Sequence, residues 1–165
     1  MKPYFLIIPF LLMFSPLFAQ NAVDSLFDTY GENPEYKMVN VSPTMFKLIA
    51  KVDEKDMDVD LKKLIDDLTN MRILSKETGG QEFFASTIKQ LSASLEPLIT
   101  VNEGGEDVKM FIQQGEDHVE ELVMVAHNQD KFVLIDLLGI IDLKTIGRLG
   151  EALDAPGLKY LERVN

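Results

Sequence analysis

Residues 119–138 read VEELVMVAHNQDKFVLIDLL and decide the fold. Two runs rich in β-branched and other aliphatic side chains flank Asn128-Gln129-Asp130, and polar turn residues between two such runs are typical of a β-hairpin. With the turn at Gln129-Asp130, the register places Val123 directly opposite Asp136. The stretch therefore predicts two antiparallel strands joined by a short turn.

Alternation along these strands gives the hairpin two faces, and both are apolar. Face A carries Leu122, Met124, Ala126, Val133, Ile135 and Leu137. Face B, the candidate interaction face, carries Val123, Val125, Phe132, Leu134, Asp136 and Leu138. Two interpretations of face B stay open. It docks a partner or an apolar ligand with Asp136 as a polar anchor, or helices cover both faces and Asp136 makes one hydrogen bond or reaches the rim.

Two further strands precede this hairpin and turn the C-terminal half into a predicted β-meander. They cover 98–101 and 108–113, with turns at Gly104-Gly105 and Gly115-Glu116-Asp117. A final helix is predicted to begin at Asp142, a residue type that favours the N-cap position. Its inward-facing residues are Leu143, Ile146, Leu149 and Leu153.

The N-terminal half mixes helical and strand spacing. Ser42-Pro43 supplies an N-cap followed by proline at the first helical position. Helices are predicted over 24–30, 43–50, 59–69 and 81–95, and strands over 36–41 and 71–75. In the 81–95 helix the apolar stripe is Phe84, Ile88, Leu91 and Leu95. These elements predict an α+β protein, with helices packed on an antiparallel or mixed sheet in one domain over residues 20–165.

The first 19 residues have the composition of a secretory signal peptide. Lys2 is their only charge, an apolar run follows it, and Ala19 stands at a suitable cleavage position. An uncleaved anchor is the alternative, because the uncharged run 3–23 is just long enough to span a bilayer. Pro9 and Pro16 disfavour such a helix, so we expect cleavage and no transmembrane segment in the mature chain.

Charge and cysteine content narrow the function classes. The 165-residue chain has 16 Lys and Arg against 27 Asp and Glu, and its net charge of −11 becomes −12 once Lys2 leaves with the signal peptide. The absence of cysteine excludes disulfides, a thiolate metal site, a cysteine nucleophile and a lipid anchor on cysteine. Strong acidity disfavours nucleic acid and anionic membrane surfaces as partners, because both attract basic clusters.

One acidic run has part of the spacing of a calcium-binding loop. Asp56, Asp58 and Asp60 alternate as in a calcium-binding loop. Counted from Asp56, however, the sixth position is Leu61 instead of glycine, and the twelfth is Asp67 instead of glutamate. The run is therefore interpreted as a solvated loop, and no metal is predicted there.

The remaining candidates carry little specific chemistry. His118 and His127 stand at the two ends of one predicted strand, too far apart for one ion, and both are predicted to be surface residues. No nucleophile elbow, zinc-protease motif or phosphate loop is present, so no catalytic residue and no cofactor are predicted. The tripeptide 24–26, Asp-Ser-Leu, fits a bacterial O-glycosylation pattern, and a helix cap at Asp24 or Ser25 explains it equally well.

Four segments together resemble the successive blocks of the DUF4252 family, exported proteins of Gram-negative bacteria. They are VNVSPTMF at 39–46, MRILS at 71–75, VEELVM at 119–124 and LGIIDLKTI at 138–146. The resemblance implies a location in the periplasm or outer envelope. It carries over no catalytic residue.

Three hypotheses for function follow. The leading one is an exported, non-catalytic interaction module of the bacterial envelope with an envelope protein as partner. A carboxylate-dependent hydrolase acting on an envelope polymer is the alternative, and a carrier of a small apolar ligand is the third. An enzyme is expected to show a concave pocket with a converging titratable pair, whereas an interaction module is expected to show an exposed apolar surface.

Overall fold

The computed structural model describes residues 21–52 and 59–143. The predicted signal peptide, the acidic run over 53–58 and the predicted final helix beyond Leu143 lie outside these ranges. The helices are α1 (Ala22–Tyr30), α2 (Pro43–Val52), α3 (Val59–Asp67) and α4 (Gly80–Leu91). The strands are β1 (Lys37–Val41), β2 (Leu68–Lys76), β3 (Glu96–Glu103), β4 (Glu106–Gln114), β5 (Val119–Asn128) and β6 (Lys131–Ile141).

The six strands form one sheet in the order β1-β2-β6-β5-β4-β3, and every neighbouring pair is antiparallel. The α+β class is therefore confirmed, and the sheet is antiparallel instead of mixed. β6, the last strand of the described ranges, lies in the interior of the sheet between β2 and β5. The predicted hairpin register is confirmed, because Val123 pairs with Asp136 across a turn at Gln129-Asp130.

Helices α1 and α4 cover face B of the sheet. α1 contributes Val23, Leu26 and Phe27, and α4 contributes Phe83 and Leu91. These side chains share one core cluster with Leu74, Phe111, Val123, Val125, Phe132 and Leu134. Burial of an aliphatic or aromatic side chain stabilises a fold by roughly 1.5–3 kcal/mol, so both helices make a substantial contribution to closing this face.

Gly80 fixes the start of α4 against the β5–β6 turn. Its N–H donates to the carbonyl oxygen of Asp130 over 2.8 Å. A Cβ at this position would lie 2.8 Å from the carbonyl carbon of Lys131, which is closer than side chains approach backbone. Glycine is therefore required, and α4 lies directly over the turn end of face B.

Helices α2 and α3 pack on face A. Phe46 of α2 and Ile65 of α3 are buried against this face, and Leu143 packs on the same cluster. The predicted cap of α2 is confirmed in place, since the N–H of Met45 donates to Ser42 Oγ at 3.4 Å. The strand residues of this cluster include Met71, Val108, Met110, Ile112, Val119, Leu122, Met124, Ile135, Leu137 and Ile141.

The junction between α3 and β2 has no linker, because α3 ends at Asp67 and β2 begins at Leu68. Gly139 of β6 pairs with Leu68 at a register shift, with φ at 147°. A Cβ on Gly139 would collide with the carbonyl oxygen of Asp67 and lie 2.8 Å from Leu68 Cα. Glycine thus lets the end of α3 approach β6 closely.

Helices α3 and α4 end earlier than the sequence predicts. α3 ends at Asp67 instead of 69, because the chain enters β2 there. α4 ends at Leu91 instead of 95, and the chain turns over residues 92–94 before β3 begins at Glu96. Phe83, and not Phe84, is the most buried aromatic side chain of α4.

Candidate functional site

An apolar groove of about 390 Å³ opens on face A near the β5–β6 turn. Among the residues whose side chains the structure describes, none from α2 or α3 lines this groove. Its apolar lining consists of Ile73, Val108, Met124, Ala126, Val133 and Ile135. Its polar rim includes Glu106, Asn128 and Lys131.

The groove follows from the alternation of the strands. Ala126 and Val133 pair with each other near the turn, and both are small and only partly buried. Ile73 extends the same surface toward β1, where Val39 is its cross-strand partner. Val39 is an edge-strand residue and is 50% exposed. The apolar surface of face A therefore continues from the groove to the edge of the sheet.

The predicted interaction face, face B, lies in the core. Val123, Val125, Phe132, Leu134 and Asp136 are all buried. The sixth residue, Leu138, is half-buried. Of the two interpretations left open by the sequence, the structure shows the covered face: α1 and α4 pack on it, and it is not an open surface.

Asp136 neither reaches the rim nor makes a single simple hydrogen bond. Its Oδ2 accepts from Arg72, with Nε at 2.8 Å and Nη2 at 2.6 Å. Arg72 also pairs through Nη1 with Asp24 of α1 at 2.7 Å, and its guanidinium lies 4.5 Å from the ring centroid of Phe27. One guanidinium thus bridges the middle of the sheet and the first turn of α1.

A second carboxyl group joins this cluster. Glu121 lies two residues before Val123 on the same face of β5 and is 2% exposed. Asn21, the N-cap of α1, donates from Nδ2 to both Glu121 oxygens at 2.9 and 3.2 Å. Burial raises the pKa of Glu121 to about 7; the Asn21 hydrogen bond opposes this rise, and the neighbouring Asp136 adds to it. Burial also raises the pKa of Asp136, with Arg72 opposing.

The two carboxyl groups lie close together, whereas a glycosidase holds its two carboxyl groups apart on either side of the bond it cleaves, and the pair is closed to substrate. Asp136 is 0% exposed and Glu121 is 2% exposed. Neither residue lines the groove. Within the described chain, Asp136 accepts hydrogen bonds from Arg72, and Glu121 accepts hydrogen bonds from Asn21. This arrangement does not favour the hydrolase hypothesis.

Comparison with known families identifies the chain. The sequence profile described as a domain of unknown function (DUF4252) matches residues 30–149, well over half of the sequence. The chain belongs to the DUF4252 family. No curated protein and no solved structure matches it.

The DUF4252 match covers the groove and most of the polar cluster. Arg72, Glu121 and Asp136 lie inside residues 30–149, as does every residue that lines the groove. Asn21 and Asp24 precede the match, together with nearly all of α1. Within this DUF4252 chain, the buried charges therefore belong to the family region, whereas the helix that contacts them lies almost entirely before it.

The structure also places two other features considered in the sequence, a histidine and the possible glycosylation tripeptide. His127 is buried beneath α4 beside Phe84, so its predicted surface position is wrong; β5 extends past Ala126 and carries it onto face B. The tripeptide 24–26 lies inside α1, and the N-cap is Asn21 instead of Asp24 or Ser25.

Two further observations concern residues 21–52 and 59–143 alone. These ranges bring no three His, Asp or Glu side chains together in a cluster able to hold a metal ion. They also contain no helix long and apolar enough to cross a membrane.

Sequence reasoning missed the partners of Asp136. Glu121 could have been predicted as a partner, because the confirmed register puts it on the same face as Val123 and Asp136. Arg72 could not have been predicted as a partner, because nothing in the sequence shows that β2 pairs with β6. Asn21 was not predicted as a partner of Glu121 either, because it lies next to the predicted signal peptide and outside the helix predicted to begin at Asp24.

Proposed function

We propose that this DUF4252 protein is an exported, non-catalytic interaction module of the bacterial envelope, and that the groove on face A is its binding surface. The observation that carries the proposal is a mainly aliphatic groove left open beside an exposed apolar edge. Contiguous exposed apolar surface marks interaction sites more often than chance exposure does. The composition of residues 1–19 supports export.

The chemistry of the groove favours an apolar segment of an envelope protein as partner. Each aliphatic side chain buried in such a groove contributes about 1.5–3 kcal/mol before the cost of association. The rim offers hydrogen-bonding and charged groups of both signs through Asn128, Glu106 and Lys131. A partner with apolar anchors and polar flanks fits this distribution.

Site-specific photo-cross-linking tests the proposal. A benzophenone amino acid replaces Val133 in the groove, and in a matched protein it replaces Gln90 on the exposed side of α4. Irradiation in the native envelope is expected to give a discrete adduct from position 133 and none from position 90. The purified partner is then expected to bind the chain, and Val133→Glu is expected to reduce that binding at least tenfold.

Three outcomes contradict the proposal. Equal adducts from both positions mean that contact is not specific to the groove. Cross-links confined to the chain itself mean that the groove is closed from within. Unchanged binding of the partner by Val133→Glu means that the partner uses another surface.

A carrier of a small apolar ligand is the second candidate, and the size of the groove supports it. A volume of about 390 Å³ falls within the range of small-molecule pockets, roughly 300–1,000 Å³. Native mass spectrometry of the chain from its own envelope separates the two functions. A bound species of a few hundred daltons that Val133→Glu loses supports a carrier, and bare chain with a protein adduct supports the module.

A further inference from the structure

The polar cluster under α1 has more negative than positive groups. Glu121 and Asp136 are both buried in it, and Arg72 is the cation that contacts Asp136. Asp24 shares the same guanidinium, although its side chain is 48% exposed and water stabilises its charge. If both buried carboxyl groups were ionised, one buried negative charge would remain without a counterion among the residues that the structure describes, which is strongly unfavourable.

The hydrogen bonds show where a proton belongs. Both nitrogens that Arg72 directs at Asp136 reach Oδ2, whereas Oδ1 is buried and has no partner within the described chain. Glu121 is the diagonal neighbour of Asp136 on face B and lies within hydrogen-bonding reach of it. A protonated Glu121 satisfies the free oxygen by donating to it, and the cluster then holds one carboxylate opposite one guanidinium.

The surroundings of Glu121 agree with a retained proton. The groups facing it are Asp136 on β6, Asp24 and Asn21 on α1, and the neutral Gln113 on β4. Burial raises the pKa of Glu121 from 4.5 to about 7, with the charges of Asp136 and Asp24 adding to the rise. Asn21 opposes it by donating to the carboxylate form.

The same cluster fastens the beginning of α1. Asn21 and Asp24 stand at the N-cap and in the first turn, and they contact Glu121 and Arg72. α1 has nine residues, which is too short for a helix to be stable by itself in water. Its position therefore depends on these polar contacts and on the apolar side chains it buries.

We propose that a proton shared by Glu121 and Asp136 holds α1 on face B, and that loss of this proton lets the N-terminal end of α1 lift and uncovers the face. The device is separate from the groove, which lies on the other side of the sheet. Lifting α1 admits water to the second charge and exposes the apolar strand residues below it.

The direction of the pH dependence follows from linkage. A carboxyl group whose pKa is raised in the closed form binds its proton more tightly there than in the open form. Closure is therefore strongest at or below the ordinary pKa of 4.5, weakens as the pH rises toward about 7, and is constant above that value. Across this window the closed-to-open ratio falls by up to about tenfold per pH unit.

Hydrogen exchange of the purified chain measures this ratio. After correction for intrinsic exchange, protection of the α1 amides is expected to fall about fortyfold from pH 5 to pH 7 and then to level off. Amides of β5 and β6 are expected to show no such fall. Glu121→Gln keeps a donor for Asp136 and cannot ionise, so its α1 protection is expected to be independent of pH. Glu120→Gln, at an exposed neighbouring position, is the matched control and is expected to behave as wild type.

A wild-type α1 whose protection stays constant between pH 5 and pH 7 overturns the proposal, as does a Glu121→Gln chain with the wild-type profile. If Glu121→Gln does not fold, infrared spectroscopy of the wild type decides. A protonated-carboxyl band that persists at pH 6 and disappears by pH 8, in step with exchange of α1, supports the shared proton. Absence of the band at pH 6 overturns it.

Discussion

The two faces of one sheet are both apolar, yet they are closed in different ways. Face B is covered by α1 and α4, and a buried guanidinium and two carboxyl groups lie beneath α1. Face A is covered by α2 and α3 over part of its area and keeps an open groove. The polar residue of the otherwise apolar strand lies on the closed face. The uniformly apolar face is the one that keeps open surface.

Adjacent residues of β6 provide the sharpest test of this difference. Leu134 faces the closed side and is fully buried, whereas Val133 lines the groove and is half-buried. Leu134→Asp is expected to cost about 4 kcal/mol or more, because it leaves a cavity and an unpaired charge in the core. A loss of this size approaches the whole stability of a domain at the lower end of the usual range, about 5 kcal/mol, so circular dichroism is expected to show a largely unfolded chain.

The paired substitution Val133→Asp is the control. Its carboxylate reaches water through the groove, so a loss of about 1–2 kcal/mol and a folded spectrum are expected. Similar destabilisation by both substitutions would mean that the two faces are closed equally, and the contrast drawn here would fail.

Removing a buried charge is expected to have the second largest effect on the free energy of unfolding. Arg72→Met is expected to destabilise the chain by about 3–5 kcal/mol in urea unfolding at neutral pH, because Asp136 loses the cation that compensates it. Lys37→Met removes an exposed ion pair with Glu77 and is expected to change stability by less than about 1 kcal/mol. A small effect of Arg72→Met would show that the cluster on face B contributes little to closing it.

Filling the groove gives the smallest effect on stability. Ala126→Phe directs its ring into the groove and is expected to change the unfolding free energy by less than about 1 kcal/mol while lowering binding of an apolar fluorescent dye. Val125→Phe, one residue earlier on the packed face, is expected to cost about 1–3 kcal/mol through overpacking. Unchanged dye binding by Ala126→Phe would place the dye, and by extension an apolar partner, elsewhere.

Local pattern was sufficient for the elements and for one register. Two-residue alternation and the turn at Gln129-Asp130 predict the β5–β6 hairpin, and they place Val123 opposite Asp136 as observed. Ser42 and Pro43 predict the start of α2 for the same reason, since capping is decided by adjacent residues.

The sequence pattern did not predict which face of the hairpin the helices cover completely. Both faces of the hairpin are apolar, and which one is covered depends on where α1 and α4 pack after the chain has closed. The pairing of β2 with β6 joins residues 64 positions apart, Arg72 and Asp136, and no periodicity reports it. The sequence could therefore predict the two carboxyl groups of the polar cluster, Asp136 and Glu121, on one face. It could not predict the cation that pairs with Asp136.

The interior position of β6 also sets the order in which the fold can form. The β1–β2 pair and the β3–β4–β5 meander share no strand contact until β6 enters between them. A chain emerging from the ribosome thus holds two incomplete half-sheets until its last described strand is released. Because β6 joins the two half-sheets last, closure of the sheet is slow relative to hairpin formation.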